Sequence, residues 1–268
     1  MNDGEVTPFI GVYDVFSAAI AAKRFDNLFL SGFGFAASHY GLPDRGFIAW
    51  SDMVDFVRRV RSVLPRPRLL VDIDDGYGDA DVACHVVRLL NAAGATGFVL
   101  EDQRRPRRCG HYEGKQLLEL DEFLPKLERV LAARDTSFLV ARTDAAETED
   151  IFRRARAFAD AGADAVLVDA IPDLGVVKEL RREIGRPLVV NQIAGGRTPS
   201  YTLGELGAAG ASFVIYSTPC LFAAQAAVEE ALDSLEIRDG RLGGPSAGTD
   251  LAQCTALLDE VHARWDDG

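Results

Sequence analysis

The stretch that decides the fold is Ala93-Gly94-Ala95-Thr96-Gly97-Phe98-Val99-Leu100-Glu101-Asp102-Gln103. A helical pattern ends at its first glycine, an apolar run follows, and two acids and an amide close the run. A glycine just past a helix supplies the left-handed position that ends it. An apolar run without alternation is typical of a strand buried on both faces. The stretch therefore predicts one helix-to-strand step of an α/β fold, with polar side chains at the end of the strand.

The same step recurs along the whole chain. The predicted strands are Phe9–Tyr13, Leu28–Ser31, Leu69–Ile73, Gly97–Glu101, Phe138–Arg142, Ala165–Asp169, Leu188–Gln192 and Phe213–Tyr216. The predicted helices are Phe16–Ala22, Asp52–Val63, Asp79–Ala93, Asp121–Ala133, Glu147–Ala161, Gly175–Ile184, Thr202–Ala209 and Cys220–Leu235. Eightfold alternation of strand and helix predicts a (β/α)8 TIM barrel of the α/β class, with an open doubly wound sheet as the alternative.

The chain shows no linker and no break in composition, which predicts a single domain over residues 1–268. Residues 236–268 form a C-terminal helical extension in this interpretation. The extension turns through Gly243-Gly244-Pro245 and ends in an amphipathic helix, Asp250–Trp265. A helix beyond the eighth unit can cap its own barrel or dock on a neighbouring subunit.

Charge and composition exclude several function classes. The net charge is −12 and the chain has no basic run, so we expect neither a nucleic acid nor an anionic membrane surface as partner. We expect no transmembrane helix, because long uncharged apolar stretches are missing. The four scattered cysteines and the acidic start, without the cationic segment of a signal peptide, predict reduced thiols in a cytoplasmic protein.

Polar side chains gather where the predicted strands end, which in a barrel of this kind is the edge that carries the active site. Asp72 and Asp74 lie two apart, on one face of the third predicted strand, and Glu101 ends the next. Carboxylates this close repel one another unless a cation lies between them. Oxygen ligands without a His/Cys cluster favour Mg²⁺ or Mn²⁺. The alternative for any single acid is that it caps the following helix.

Arg142 ends the fifth predicted strand and faces the same edge. Its planar fork suits a substrate carboxylate or phosphonate. The alternative is a structural ion pair with Asp144 or Asp169.

Cys109 lies in the polar loop Arg107-Arg108-Cys109-Gly110-His111. Cationic neighbours lower the pKa of a thiol and favour the thiolate. A lone cysteine is usually a small buried hydrophobe, but in this loop we expect Cys109 to donate or accept a proton.

Seven motifs, taken in order, resemble the isocitrate lyase and phosphoenolpyruvate mutase superfamily. They are Leu30-Ser31-Gly32, Gly41-Leu42-Pro43-Asp44, Asp72-Ile73-Asp74-Asp75-Gly76-Tyr77-Gly78, Glu101-Asp102-Gln103, Arg107-Arg108-Cys109-Gly110-His111, Ala141-Arg142-Thr143-Asp144-Ala145 and Asn191 with Gly195-Gly196-Arg197-Thr198-Pro199. The resemblance is closest to the branch that holds 2-methylisocitrate lyase, dimethylmalate lyase, oxaloacetate hydrolase and carboxyphosphonoenolpyruvate mutase.

The resemblance implies a (β/α)8 barrel, Mg²⁺ and a small α-oxo or α-hydroxy carboxylate substrate. It also implies a homo-oligomer, a dimer or a dimer of dimers, formed by exchange of the C-terminal helix. By the resemblance, Asp72, Asp74 and Glu101 hold the metal, largely through water. The implied substrate-binding residues are Ser31, Gly32, Phe33, Arg142, Asn191 and Thr198. Asp44 is expected near the reacting centre, and Arg104–Lys115 as a mobile lid that brings in Cys109.

Several positions separate this chain from the family pattern. Cysteine in the lid is typical of the carbon–carbon lyases, whereas phosphonate mutases typically carry asparagine there. Arg107 stands where the family has lysine, Phe29 where lyases often have tyrosine, Ala194 where many lyases have glutamate, and Asp75 where threonine is usual. These differences favour an altered or smaller substrate rather than isocitrate.

The first hypothesis is a Mg²⁺-dependent lyase that cleaves the C2–C3 bond of a 2-hydroxy or 2-oxo dicarboxylate. Cys109 protonates the departing carbanion, helped by the lid residues His111, Arg108 and Arg107. The second hypothesis is P–C bond chemistry, as in a phosphonomutase or phosphonopyruvate hydrolase. The third is a catalytically weak barrel that binds an oxo acid.

Overall fold

The computed structural model describes residues 5–242 and 248–263. Eight parallel strands pair in sequence order, and β1 pairs with β8 to close the barrel. The predicted TIM barrel is therefore confirmed, and the closure excludes the open sheet. The predicted turn Gly243-Gly244-Pro245 and the end of the last predicted helix, including Trp265, lie outside the described residues.

The observed elements follow the predicted order closely. The strands are β1 Thr7–Val12, β2 Asn27–Leu30, β3 Arg68–Asp72, β4 Gly97–Glu101, β5 Phe138–Thr143, β6 Ala165–Val168, β7 Leu188–Gln192 and β8 Phe213–Tyr216. The helices are α1 Val15–Ala21, α2 Gly32–Phe35, α3 Trp50–Val63, α4 Ala80–Ala93, α5 Leu120–Ala133, α6 Thr148–Asp160, α7 Leu174–Ile184, α8 Leu203–Ala208, α9 Pro219–Ile237 and α10 Leu251–Ala263.

Two apolar layers explain why the strands read as continuous apolar runs. One layer fills the barrel interior, with Phe29, Val99 and Leu167 among its members. The other lies between the strands and the helices and includes Leu100 and Val166. Side chains alternate between the two faces of a strand. On each strand, the next side chain that points inward lies two residues after the interior layer, at the open end of the barrel. Polar residues occupy these positions: Ser31 follows Phe29, Glu101 follows Val99, and Asp169 follows Leu167.

The end of β3 differs from the prediction. The strand stops at Asp72, and Asp74 lies in a turn with a φ of 49°. The prediction that Asp72 and Asp74 share a strand face is therefore wrong, because the backbone turns between them. The two carboxylates still approach one point: a Cβ on Gly32 would lie 3.3 Å from Asp72 Oδ2 and 3.6 Å from Asp74 Oδ1.

The segment after β2 contains helical structure that the sequence analysis did not predict. Helix α2 continues into a π-helical turn, Ala36–Tyr40. Ser31 caps α2, since its Oγ accepts a hydrogen bond from the Gly34 N–H at 3.1 Å. This segment leads to the loop that carries Asp44.

Helix α10 lies against its own barrel in this structure. Val261 is buried, and Lys23 on the α1 side forms an ion pair of 2.8 Å with Glu260. Apolar side chains such as Val228, Leu232 and Leu251 are exposed on α9 and α10. Exchange of the helix between subunits stays a prediction. Within the described part of the chain, none of the helices has the length and apolar character needed to cross a membrane.

A buried ion pair joins α6 to the end of β4. Arg154 Nη1 lies 3.0 Å from Asp102 Oδ2, which also accepts a hydrogen bond of 2.7 Å from Thr143 Oγ1. The Asp144 N–H donates to the other Asp102 oxygen at 3.2 Å. Burial, with the nearby Asp144 charge, raises the pKa of Asp102 to about 7, against the opposing effect of Arg154. This network fixes the strand end that precedes the lid.

We expect Arg154→Met to lower the free energy of unfolding by about 3–5 kcal/mol, because Asp102 would remain buried without its cation. Urea unfolding monitored by circular dichroism measures the change. The matched control is Arg153→Met, at a neighbouring position of α6 where the side chain is 54% exposed. Its pair with Asp150 should contribute about 1 kcal/mol or less. Equal effects of the two substitutions would contradict the structural role given to Arg154.

Candidate active site

A cavity of about 30 Å³ lies at the carboxyl ends of the strands. Its apolar floor includes Phe29, Val99 and Ile215 from the barrel interior. Of the predicted site residues, the cavity lining includes Ser31, Phe33, Asp44, Asp72, Arg107, Cys109, Arg142 and Asn191. The structure therefore brings together residues from β2, β3, β5, β7 and the loop 104–115.

Arg107 is the centre of the charge network in this cavity. Its side chain is 2% exposed, its Nε lies 2.8 Å from Glu101 Oε1, and its Nη1 lies 3.2 Å from Asp74 Oδ1. The guanidinium also forms an ion pair with Asp44. Burial lowers the pKa of Arg107, but the charges of Asp74, Glu101 and Asp44 outweigh it and raise the pKa well above its usual value. Arg107 is therefore a permanent cation among three acids.

The carboxylates around Arg107 are not fully compensated. Burial raises the pKa of Glu101 to about 7 although Arg107 and Arg142 oppose the rise. Burial also raises the pKa of Asp74 well above its usual value, and the Asp72 charge adds to this despite Arg107. Asp74 Oδ1 and Glu101 Oε2 are buried and accept no hydrogen bond from the described residues. These two oxygens face Arg107 and Arg142 only through ion-pair contacts of 3.2 and 3.4 Å, without a hydrogen bond, and they remain available as ligands for a cation.

These donors fit a hydrated Mg²⁺, or Mn²⁺, for which carboxylate oxygens and water are the usual ligands. Gly32 adds room, since it presents no side chain towards Asp72 and Asp74. Across residues 5–242 and 248–263, no three acid, histidine or cysteine side chains converge as direct metal ligands. A metal bound here would therefore need water molecules to complete its ligands.

Arg142 forms the structural ion pairs that the sequence analysis raised as its alternative. Its Nη2 lies 2.8 Å from both Asp144 Oδ1 and Asp169 Oδ2, and its Nη1 lies 3.4 Å from Glu101 Oε2. Burial raises the pKa of Asp169, but the Arg142 charge outweighs it and holds the pKa below its usual value. These pairs use the fork of Arg142, whose Nε and Nη2 both donate to Asp144, and they fix the guanidinium in the wall of the cavity.

Part of the loop 104–115 lines the cavity, through Arg107, Cys109 and Gly110. Gln103 fixes its backbone, since its amide donates to the Arg108 carbonyl at 2.7 Å and accepts from the Arg108 N–H at 2.9 Å. The Arg108 side chain is exposed and lies beside Gly114. The structure therefore does not bring this predicted catalytic side chain to the cavity.

The thiol of Cys109 has the opposite character to the expected one. Burial, with the Asp44 charge, raises its pKa to about 12. The prediction of a lowered pKa is wrong because the Arg108 side chain points away, while Asp44 and Asp169 act on the thiol. Cys109 is consequently a protonated thiol at neutral pH, and in this state it can donate a proton.

His111 connects the lid to the segment 192–201. Its Nδ1 accepts a hydrogen bond of 2.9 Å from the Arg197 N–H, which leaves the ring proton on Nε2, 3.5 Å from Asp169 Oδ1. Burial lowers the pKa of His111. Gly196 allows this contact, because a Cβ there would lie 2.8 Å from Nδ1. The lid and the 192–201 segment are therefore held against each other.

Of the remaining predicted residues, Asn191 lies in the central cavity and Thr198 does not. Asn191 donates to Asp169 Oδ1 at 2.9 Å and accepts from Ser217 Oγ at 2.5 Å, within the site. Thr198 is buried but lines a neighbouring cavity instead. Asp169 and Ser217 line the central cavity although the predicted site left them out. The sequence could have identified them, because each follows a strand directly, at a position whose side chain points into the barrel.

Comparison with known proteins agrees with this geometry. The model of the phosphoenolpyruvate phosphomutase family matches residues 2–236. A chloroplastic carboxyvinyl-carboxyphosphonate phosphorylmutase of Arabidopsis thaliana is 36% identical over 84% of this chain and 69% of its own. A 2-methylisocitrate lyase of Aeropyrum pernix is 34% identical over 83% of this chain and 73% of its own.

Two solved structures show the same barrel. Oxaloacetate acetylhydrolase in complex with 3,3-difluorooxalacetate superposes with a TM-score of 0.91 at 31% identity, covering 99% of this chain and 92% of its own. Phosphonopyruvate hydrolase in complex with oxalate and Mg²⁺ superposes with a TM-score of 0.84 at 27% identity, covering 97% and 93%.

These matches confirm the resemblance: the chain is an enzyme of the isocitrate lyase and phosphoenolpyruvate mutase superfamily. Within it, the chain belongs to the phosphoenolpyruvate phosphomutase family.

We expect Gly110→Ala to prevent complete closure of the lid. A Cβ at this position would overlap Asp169, Asp144 and Arg142, which are held rigidly by their own ion pairs. Trypsin should then cut the lid at its arginines faster than in the wild type, as measured by mass spectrometry of the early fragments.

The control for this experiment is Gly204→Ala in α8. A Cβ there would meet only Thr202 Oγ1, at 3.9 Å, so the substitution adds a methyl group without a clash. Its lid should be cut at the wild-type rate. If Gly110→Ala were cut no faster than this control, the close packing of the lid on Arg142 would be refuted.

Proposed function

We propose that the protein is a Mg²⁺-dependent carbon–carbon lyase that cleaves, or in reverse forms, the C2–C3 bond of a 2-hydroxy or 2-oxo dicarboxylate. The observation that carries the proposal is the buried, protonated Cys109 on a lid over a cavity of acids and arginines. A thiol with a pKa of about 12 is a proton donor at neutral pH, which is what a carbanion left by C–C cleavage requires.

The charged residues give the substrate its orientation in this proposal. Arg142, held in place by Asp144 and Asp169, supplies positive charge to one carboxylate of the substrate. Ser31 and Gly32, at the start of α2, bind the other carboxylate and the oxygen on C2. Asp72, Asp74 and Glu101 hold the metal, which when bound stabilises negative charge on that oxygen.

The bond change balances as follows for a 2-hydroxy substrate. The C2–C3 bond breaks, its electron pair stays on C3, and C2 becomes a carbonyl as the hydroxyl proton passes to a carboxylate of the cavity, which returns it to solvent after the lid opens. Cys109 then transfers its proton to C3, and the thiolate regains a proton before the next turnover. Arg107 holds the lid closed during this step through its contacts with Asp44 and Glu101.

The lid must open to admit the substrate, because the closed cavity of about 30 Å³ is far smaller than the several hundred Å³ of a typical small-molecule site. Reclosing then excludes water from the carbanion. The tight packing of Gly110 on Arg142 shows how little space the closed lid leaves above the reacting atoms.

The second candidate is P–C bond chemistry. Two relatives favour it, the phosphorylmutase of Arabidopsis thaliana and the phosphonopyruvate hydrolase. Arg142 suits a phosphonate as well as a carboxylate. Cys109 favours the lyase, because P–C bond transfer does not require a protonated thiol above the substrate.

Two further statements belong to the proposal. We propose a cytoplasmic enzyme that acts on a small carboxylate. We also propose a homotetramer or homodimer, supported by the exposed apolar side chains Val228, Leu232 and Leu251 on α9 and α10.

The decisive experiment compares wild type with Cys109→Ser by NMR on oxaloacetate, substituted malates, 2-methylisocitrate and phosphonopyruvate, with and without EDTA. We expect Mg²⁺-dependent cleavage of a carbon acid that falls about 100-fold or more in the variant. Cys254→Ser, on α10, is the control and should retain wild-type activity. Turnover of phosphonopyruvate that survives Cys109→Ser would favour P–C chemistry, and no turnover of any compound would favour a catalytically weak binding barrel.

The raised pKa of Cys109 predicts its reactivity towards iodoacetamide. The thiolate is the reacting form, so the alkylation rate should still increase between about pH 8 and pH 10, where an ordinary thiol levels off. Peptide mass mapping gives the rate at Cys109 separately from the other cysteines. A plateau near neutral pH would show a thiolate and would contradict the role of proton donor.

A further inference from the structure

The lid also contacts the barrel outside the central cavity, through Arg105. Its Nε donates to Asp75 Oδ2 at 2.8 Å, and its Nη2 donates to Asp75 Oδ1 at 2.7 Å. The guanidinium lies over the ring of Tyr77, 6.0 Å from the ring centroid. Two parallel N–H···O bonds are a strong and directional form of the arginine–carboxylate pair. Neither Arg105 nor Asp75 lines the central cavity, so this pair is separate from the contacts of Arg107 and Arg142.

Asp75 is the fixed member of this pair. Its side chain is 5% exposed, and its Oδ1 also accepts a hydrogen bond of 3.2 Å from the Tyr77 N–H. Lys126 on α5 donates to the backbone carbonyls of Asp75 and Gly78, which anchors the turn after β3 to a helix. The barrel therefore holds the Asp75 carboxylate in place independently of Arg105.

Arg105 lies at the start of the part of the lid that can move. At the base of the lid, the Arg104 N–H donates to the Gln116 carbonyl at 2.7 Å, and Gln103 forms a β-bridge with Leu117. These backbone contacts hold the two ends of the lid side by side, so that movement is confined to the residues between them. The Arg105 side chain is 40% exposed, so water can replace its bonds to Asp75 when the lid opens.

The pair differs from the contacts of Arg107 in its relation to a bound cation. Arg107 Nη1 lies 3.2 Å from Asp74 Oδ1, which is one of the oxygens available to a metal. A cation bound at that oxygen competes with Arg107, because both are attracted to the same charge. Both oxygens of Asp75, in contrast, already accept hydrogen bonds from Arg105. The Asp75–Arg105 pair therefore keeps its contacts when the acids bind a metal.

We infer that Asp75 and Arg105 are positioning residues that hold the lid closed over the site while the acids bind a metal. The pair breaks each time the lid opens for a substrate and forms again when the lid closes, which returns Cys109 to its place above the reacting atoms. The inference rests on the lid movement that the proposed function requires. Threonine, which is usual at the position of Asp75 in the family, carries no charge to pair with an arginine.

The rate at which iodoacetamide alkylates Cys109 measures how often the lid opens, because the thiol is buried when the lid is closed. Peptide mass mapping in Mg²⁺ at one fixed pH compares wild type with Arg105→Gln, Asp75→Asn and the double variant. We expect each single substitution to raise the rate about fivefold or more. The double variant should match the single ones, because either change breaks the same pair. A wild-type rate in either single variant, or a double effect equal to the product of the two, would overturn the inference.

Two further variants separate this ion pair from a general effect of removing an arginine. Arg104→Gln removes the neighbouring arginine, which is 43% exposed and pairs with Glu122 at the base of the lid, and it should keep the wild-type rate. Arg105→Lys keeps the charge without the planar fork, so its rate should lie between those of wild type and Arg105→Gln. An effect of Arg104→Gln as large as that of Arg105→Gln would contradict the role of the pair.

The response to salt is a readout that a merely structural role would not change. Added KCl should raise the alkylation rate of Cys109 more in the wild type than in Arg105→Gln, because salt screens a partly exposed ion pair. Equal responses of the two proteins would also overturn the inference. The alkylation needs no turnover, so the absence of lyase activity would refute the proposed function without changing these rates.

Discussion

The rest of the site depends on the ion pairs that the buried arginines Arg107 and Arg142 form with its acids. Between them they contact Asp44, Asp74, Glu101, Asp144 and Asp169. Burial of this many carboxylates is unfavourable unless cations accompany them. Arg142 comes from a strand and is fixed by the fold. Arg107 comes from the lid, so the position of a loop decides how the charges of the barrel mouth are balanced.

The order of elements was predictable from the sequence because each strand has two buried faces. The apolar runs around Val99 and Val190 are long enough to identify strands, and glycines such as Gly94 mark the helix ends. The turn at Asp74 was not predictable in the same way. Its φ of 49° depends on the loop after β3, whose carbonyl groups at Asp75 and Gly78 are held by Lys126, fifty residues away in α5.

The candidate site shows the same division. Residue type and strand position were sufficient to gather Asp72, Glu101 and Arg142, because inward positions at parallel strand ends must converge. Residue type and strand position did not predict which side chains of the lid lie near Cys109. Neighbours in sequence suggested that Arg108 acts on Cys109, whereas the fold turns Arg108 outward and places Asp44 near the thiol. The pKa of the thiol rises first because the thiol is buried and then because of the charges beside it, and both are properties of tertiary structure.

The ion pairs of Arg107 also affect the metal-free protein. Many metalloproteins cannot assume their fold without the ion, because nothing else neutralises the ligands. Here a guanidinium from the same chain lies among Asp44, Asp74 and Glu101. The acidic centre therefore carries part of its counter-charge within the chain itself, whether or not a metal is bound.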